Sequence, residues 1–172
     1  MVVISPDAEQ VLGPDFLEHL RAVDVCLPLR AVVEEGWITE GGARLLVAFR
    51  DSYFGDRSKF STVGEYETAV NGRGIPEDGI ESSGQEKVHH LMRRGAAFAW
   101  AALHAANASS QEAPLMSRIS VEPTVFDPNV VTGYVTFFAA EFADVLGVRP
   151  LGEKSGIQIL LESADCLDPL PD

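Results

Sequence analysis

Residues 87–104, KVHHLMRRGAAFAWAALH, gather the side chains with the most chemical capacity: two adjacent histidines, two adjacent arginines, a tryptophan and a third histidine. A guanidinium holds a carboxylate or phosphate through two parallel N–H donors, and an imidazole exchanges a proton near neutral pH. At about 100° of turn per residue, a helix over this stretch places His89, Arg93, Trp100 and His104 within a sector of roughly 60°. His90 and Arg94 form an i, i+4 pair farther round. His89 and His104 then stand about 22 Å apart along the axis. One small ligand therefore meets His89 with Arg93, or Trp100 with His104. No metal ion can be shared between the two histidines, and no metal or cofactor is expected.

Three readings fit this face. In the first, the arginines pair with surrounding carboxylates, Trp100 packs beneath residues 51–85 and the histidines are solvated. In the second, Arg93 clamps an anionic group and His89 is a weak candidate for the acid or base. In the third, the face is a contact patch for another chain, since tryptophan and arginine are the residue types that anchor interfaces.

A second candidate region is polar. The stretch 51–85, DSYFGDRSKFSTVGEYETAVNGRGIPEDGIESSGQ, holds six glycines and mixed charge without a sustained period, apart from GEYETAV, which reads as a short strand. A stretch this long inside a domain is functional, disordered or hiding short elements, and its composition suits a binding loop or lid as it suits a poorly ordered insertion. Tyr53, Arg57 and Tyr66 are its candidate binding side chains, placed to fold over the His89–Arg93 end of the helix. Other motifs fail. GVRPLGEKS (147–155) has Glu153 between its second glycine and its lysine, which breaks the phosphate-loop pattern. NGRGIP (71–76) reads as a turn, and neither HExxH nor GxSxG occurs. Cys26 and Cys166 lie in no metal-ligand spacing and are expected as free thiols.

The elements that must position these residues follow from periodicity. Val88, Met92, Gly95, Ala99, Ala102, Leu103 and Ala106 make the buried stripe of a helix near 84–107, small enough for a second helix to approach closely. Pro14 opens a helix near 14–26 that Pro28 breaks or kinks, LRAVVEEG reads as a further turn or two stopped at Gly36, and Thr39 caps another helix near 39–50. In FDPNVVTGYVTFFAAEFADVLG, Asp127 suits an N-cap, Pro128 the first turn and Gly147 a C-cap, so the apolar stripe between them predicts a helix near 128–146. Strands are expected near 115–121 and 156–163, with a shorter one near 2–5. Strand, helix, strand would make a crossover unit. The expectation is a helix-rich α/β or α+β fold, a small sheet packed by helices, in a single domain over 1–172.

Charge limits the partners. The chain of 172 residues carries 26 acids against 13 bases, a net −13, with 15 acids and 7 bases in residues 1–85 and 11 and 6 in 86–172. A field of that sign repels phosphate backbones and anionic membranes, so no nucleic-acid or membrane partner is expected. No segment approaches a membrane span, no leader is evident, and three lysines against ten arginines fit a GC-rich bacterial genome. The sequence therefore reads as an acidic, soluble, cytoplasmic binding or accessory protein acting through a protein partner, basic in character. The alternative is a small enzyme or ligand-binding protein for an anionic metabolite, with Arg93 and His89 under the 51–85 segment.

Overall fold

Alternation of side chains builds the centre of the molecule. In LMSRISVEP, Leu115, Ile119 and Val121 point to one side and join the main core, while Met116 points to the other and joins a small second cluster. The computed structural model describes residues 2–109, 113–147 and 156–172. In chain order, β1 (Val3–Ile4) leads to α1 (Pro6–Leu12), two 3-10 turns (Phe16–His19 and Ala22–Asp24) and α2 (Leu27–Glu35). The hairpin β2 (Trp37–Glu40) and β3 (Ala43–Leu46) follows, then α3 (Val47–Asp51), a 3-10 turn (Arg57–Lys59), α4 (Val63–Val70) and β4 (Arg73–Gly74). The long α5 (Gly84–Ser109) precedes β5 (Leu115–Pro123), β6 (Val131–Ala139), a 3-10 turn (Ala140–Phe142) and β7 (Ile157–Glu162).

Five strands form one sheet in the order β1-β7-β5-β6-β4, every described pairing antiparallel, and β2–β3 makes a separate two-stranded sheet. The fold is mixed α+β. At 44% helix it is helix-rich, as expected. Helix α5 lies along the inner face of the large sheet, burying Leu91, Met92, Phe98, Ala102 and Leu103 completely. The expected stripe is the buried one, but what approaches its small residues is the sheet. A Cβ on Gly95 would lie 2.5 Å from Ile75 and 2.8 Å from Ile119.

Both edges of the large sheet are short. β1 and β4 contribute two residues each. Beyond them, side chains take over the backbone groups. Ser5 Oγ accepts from Gln158 N at 3.0 Å and an Asp165 carboxylate oxygen accepts from Glu162 N at 3.1 Å. On the other side Glu67 accepts from Ala139 N at 2.8 Å, and Asn71 Nδ2 donates to Phe137 O at 3.3 Å.

Three expected elements are corrected. The segment predicted as a helix near 128–146 is instead the strand β6 followed by a 3-10 turn, so β5 and β6 form an antiparallel hairpin and the expected crossover through this segment is not formed. Asp127 and Pro128 belong to the hairpin tip, where the Asp127 carboxylate accepts from Asn129 N at 2.9 Å. The β-branched and aromatic run wins because it alternates against β5, and Gly133 leaves room for Ile75. The helix near 14–26 is two 3-10 turns, since Arg21 is extended and its N–H donates to Asp24 at 2.8 Å. Near 39–50, Gly41 and Gly42 both have positive φ and turn the β2–β3 hairpin, leaving only the short α3 helical.

The 51–85 segment is also not a continuous loop. GEYETAV is helical in α4, started by a reciprocal cap in which Thr62 Oγ1 accepts from Glu65 N and the Glu65 carboxylate accepts from Thr62 N. The stop at Gly36 and the strands near 2–5, 115–121 and 156–163 are present. Within the rejected phosphate-loop motif, residues 148–155 lie outside the described residues.

Candidate functional site

The seven candidate side chains separate into three places. At the first, His89 and Arg93 face the 3-10 turns of the N-terminal region. Arg93 Nε pairs with Asp24 at 2.8 Å, and its Nη2 donates to His19 O at 2.7 Å. His89 stacks edge-on against Phe16, with ring centroids 5.7 Å apart. Burial, helped by the nearby Arg93 and His90, lowers the His89 pKa and so favours the neutral ring. A hollow of about 340 Å³ opens here between Gly13, Phe16, His19, His89 and Arg93. The segment 51–85 does not cover it. Its end docks along the neighbouring flank of α5, where Lys87 pairs with Glu77 at 2.7 Å and Arg94 donates to Pro76 O.

At the second place, Trp100 and His104 lie under the C-terminal segment, not under 51–85. Trp100 Nε1 donates to Asp168 O at 2.9 Å, and His104 Nδ1 lies 3.2 Å from Cys166 O. Asn107 donates to Ser163 O at 2.7 Å. These contacts pin the C-terminal chain to α5. Beside it runs a groove of about 560 Å³ between α2, α5 and residues 169–172. Its walls are mostly apolar, from Ala22, Val25, Val33, Ala101, Ala105 and Leu170, with His104, Arg30 and Glu34 at the polar margin. Val23 lines the groove and is 71% exposed, and Leu27, in the first turn of α2, is 78% exposed. An apolar concavity flanked by exposed apolar side chains is the kind of surface that marks a binding site.

At the third place, Tyr53, Arg57 and Tyr66 do come together. The Arg57 guanidinium lies 4.8 Å from the Tyr66 ring centroid, and Tyr53 packs edge-on at 6.1 Å. Arg57 also donates to Glu40 O at 3.1 Å and Gly41 O at 2.7 Å, tying the turn after α3 to the β2–β3 hairpin. Its donors are thereby spent on the protein's own backbone.

Sequence reasoning missed two features. The groove is formed by three segments distant in sequence, and no local signal points to it. The burial of Glu67 and Asn71, one turn apart at the C-terminal end of α4, was also missed, because Glu65 and Thr68 are polar in the same stretch and nothing local marks which side chains turn inward. Both are fully buried. Glu67 accepts from Arg44 N at 2.7 Å and Ala139 N at 2.8 Å, and Asn71 accepts from Leu46 N at 3.0 Å. Burial raises the Glu67 pKa, against the backbone N–H donors and the Arg44 charge. Cys166 is a free thiol pushed up to about 12, first by burial and then by Asp165, so it is protonated at neutral pH and a poor nucleophile. Among the described residues, no three His, Cys, Asp or Glu side chains cluster as metal ligands, and no helix is long and apolar enough to cross a membrane. The chain matches no family model, no curated protein and no solved structure.

Proposed function

We propose that the chain is a binding or accessory protein that acts through a basic protein partner, which seats an apolar segment in the groove between α2, α5 and residues 169–172. The groove carries this reading, because its apolar walls and the exposed Val23 and Leu27 offer area that a partner would bury. The net charge of −13 steers a cationic partner toward it. At the hairpin tip, Val125 and Phe126 are 97% and 99% exposed and offer further apolar contact. The two unpaired cysteines fit a cytoplasmic setting.

Native mass spectrometry of untagged protein from its own host tests the proposal. Wild type should carry a protein of basic isoelectric point, and Val33→Glu or Ala105→Glu should release it while circular dichroism stays unchanged. The association rate should fall as salt rises. A partner held equally by both groove variants would remove the groove from the reading.

The alternative, an anionic metabolite held by Arg93 with His89 as acid or base, is favoured by one observation: His19, His89 and Arg93 do share a hollow. Against it, Asp24 already occupies one edge of the Arg93 guanidinium and Asp15 lines the same hollow. An anion would have to compete with both carboxylates.

A further inference from the structure

Eight arginines of the described residues have donors committed to the protein. Arg21, Arg30, Arg44, Arg57, Arg73 and Arg94 donate to backbone carbonyls, Arg50 to Glu40 and Asp51, and Arg93 to both kinds of acceptor. Arg118 is the exception. It sits in the middle of β5, half-buried on the sheet face turned away from α5, and its guanidinium makes no hydrogen bond or ion pair with a described residue. Its cross-strand neighbours are Thr136 and Leu160, neither of which carries a charge. A partly buried guanidinium without a partner is costly. In a chain with twice as many acids as bases, a carboxylate to satisfy it would be easy to supply.

Arg118 opens into a hollow of about 620 Å³ whose lining includes a second cation, Lys59. Among the described residues, the one acid lining the hollow, Glu65, is turned onto Ser61 N at 2.8 Å and Thr62 N at 3.2 Å. Tyr134 is held in the same hollow by the absence of a side chain at Gly72, where a Cβ would lie 2.0 Å from its hydroxyl oxygen. Phe60 and Leu146 supply apolar walls. We propose that this hollow binds a small organic anion, its phosphate or carboxylate held by Arg118 and Lys59 and its apolar body lying against Phe60 and Leu146. The site is separate from the groove and from the His89–Arg93 hollow, so its failure would leave the partner reading untouched.

Isothermal titration with phenyl phosphate, benzoate and inorganic phosphate tests it. Wild type should bind phenyl phosphate or benzoate saturably and more tightly than inorganic phosphate, and the tighter of the two organic anions identifies the headgroup. Arg118→Gln should weaken that binding by about tenfold or more, as expected for loss of a charge-assisted pair. Lys59→Gln, at an exposed position that leaves the fold alone, should weaken it several-fold, and this variant carries the test if Arg118→Gln fails to fold. Arg93→Gln should bind as wild type. No saturable binding of either organic anion, or full binding by both Arg118→Gln and Lys59→Gln, would overturn the proposal.

Discussion

Glu67 is the residue on which the junction of the two sheets turns. One carboxylate oxygen accepts from Arg44 N in β3 and the other from Ala139 N at the end of β6, so a single buried side chain bridges hairpin and main sheet. Glu67→Gln would put an amide N–H₂ against one of these N–H donors, and should cost about 1–3 kcal/mol in urea unfolding, the penalty of a buried unsatisfied donor. The pH dependence has a definite sign. Because burial raises the folded-state pKa, the native protein takes up this proton at a higher pH than the unfolded chain does. That contribution to stability is present in full below the unfolded carboxylate pKa and is lost as pH rises through the folded value. The stability gap between wild type and Glu67→Gln should therefore widen as pH is lowered from 7 toward 5, and a constant gap would mean that Glu67 does not titrate there. A second expectation concerns the thiols. Cys26, half-buried, should be alkylated by iodoacetamide before Cys166, which is fully buried and protonated. The shared side of His89, Arg93, Trp100 and His104 was legible from helical angle alone. Their partners were not, because Asp24, His19, Cys166 and Asp168 come from segments without periodicity, and three of the bonds end on carbonyls, which sequence leaves unmarked.

Among the elements, α5 was the most legible and β6 the least. Twenty-six helical residues give the apolar period many turns in which to declare itself, and Val88, Leu91, Met92, Ala99 and Leu103 keep it throughout. In β6, Val131, Val135 and Phe138 satisfy a period of 3.6, yet Val131, Gly133, Val135, Phe137 and Ala139 also satisfy a period of two. Only the pairing with β5 decides between them, and pairing is a long-range fact. The β2–β3 hairpin, by contrast, was readable: Gly41 and Gly42 sit together where φ must be positive, a stronger turn signal than Thr39 was a cap. Where α5 meets the sheet, Ile75 fills a slot left by two glycines, its Cδ1 lying 2.5 Å from a Cβ built on Gly95 and 2.8 Å from one on Gly133. Gly95→Ala would gain helix propensity of up to about 1 kcal/mol. It would also press on Ile75, which Gly133's strand keeps from retreating, and on the β-branched Ile119. Overpacking of this kind costs about 1–3 kcal/mol and should win, giving a net loss in chemical denaturation. A stabilised Gly95→Ala would show that α5 can lift from the sheet.

At the scale of the whole molecule, charge sets the conditions of stability. The ion pair Arg50–Glu40 is exposed, with side chains 43% and 42% accessible, and contributes little. Most arginines serve as donors to carbonyls instead, which leaves much of the acidic excess uncompensated. Added salt should therefore screen repulsion more than attraction. Raising NaCl from about 20 to 300 mM, where the Debye length falls below about 10 Å, should raise Tm, by roughly 2–4 °C for each kcal/mol gained in a chain of this size. A falling Tm would mean that the attractive pairs dominate. The sheet edges have a different consequence. A row of open N–H and C=O groups is a template on which another chain can lay itself as an extra strand. Here Ser5 and Asp165 occupy that row along β7, and Glu67 and Asn71 occupy it beside β6. Along these stretches of β7 and β6 the row is closed to an added strand, which narrows where the sheet of one molecule could grow into the next. A strand laid against these stretches would meet side chains where it needs open backbone groups.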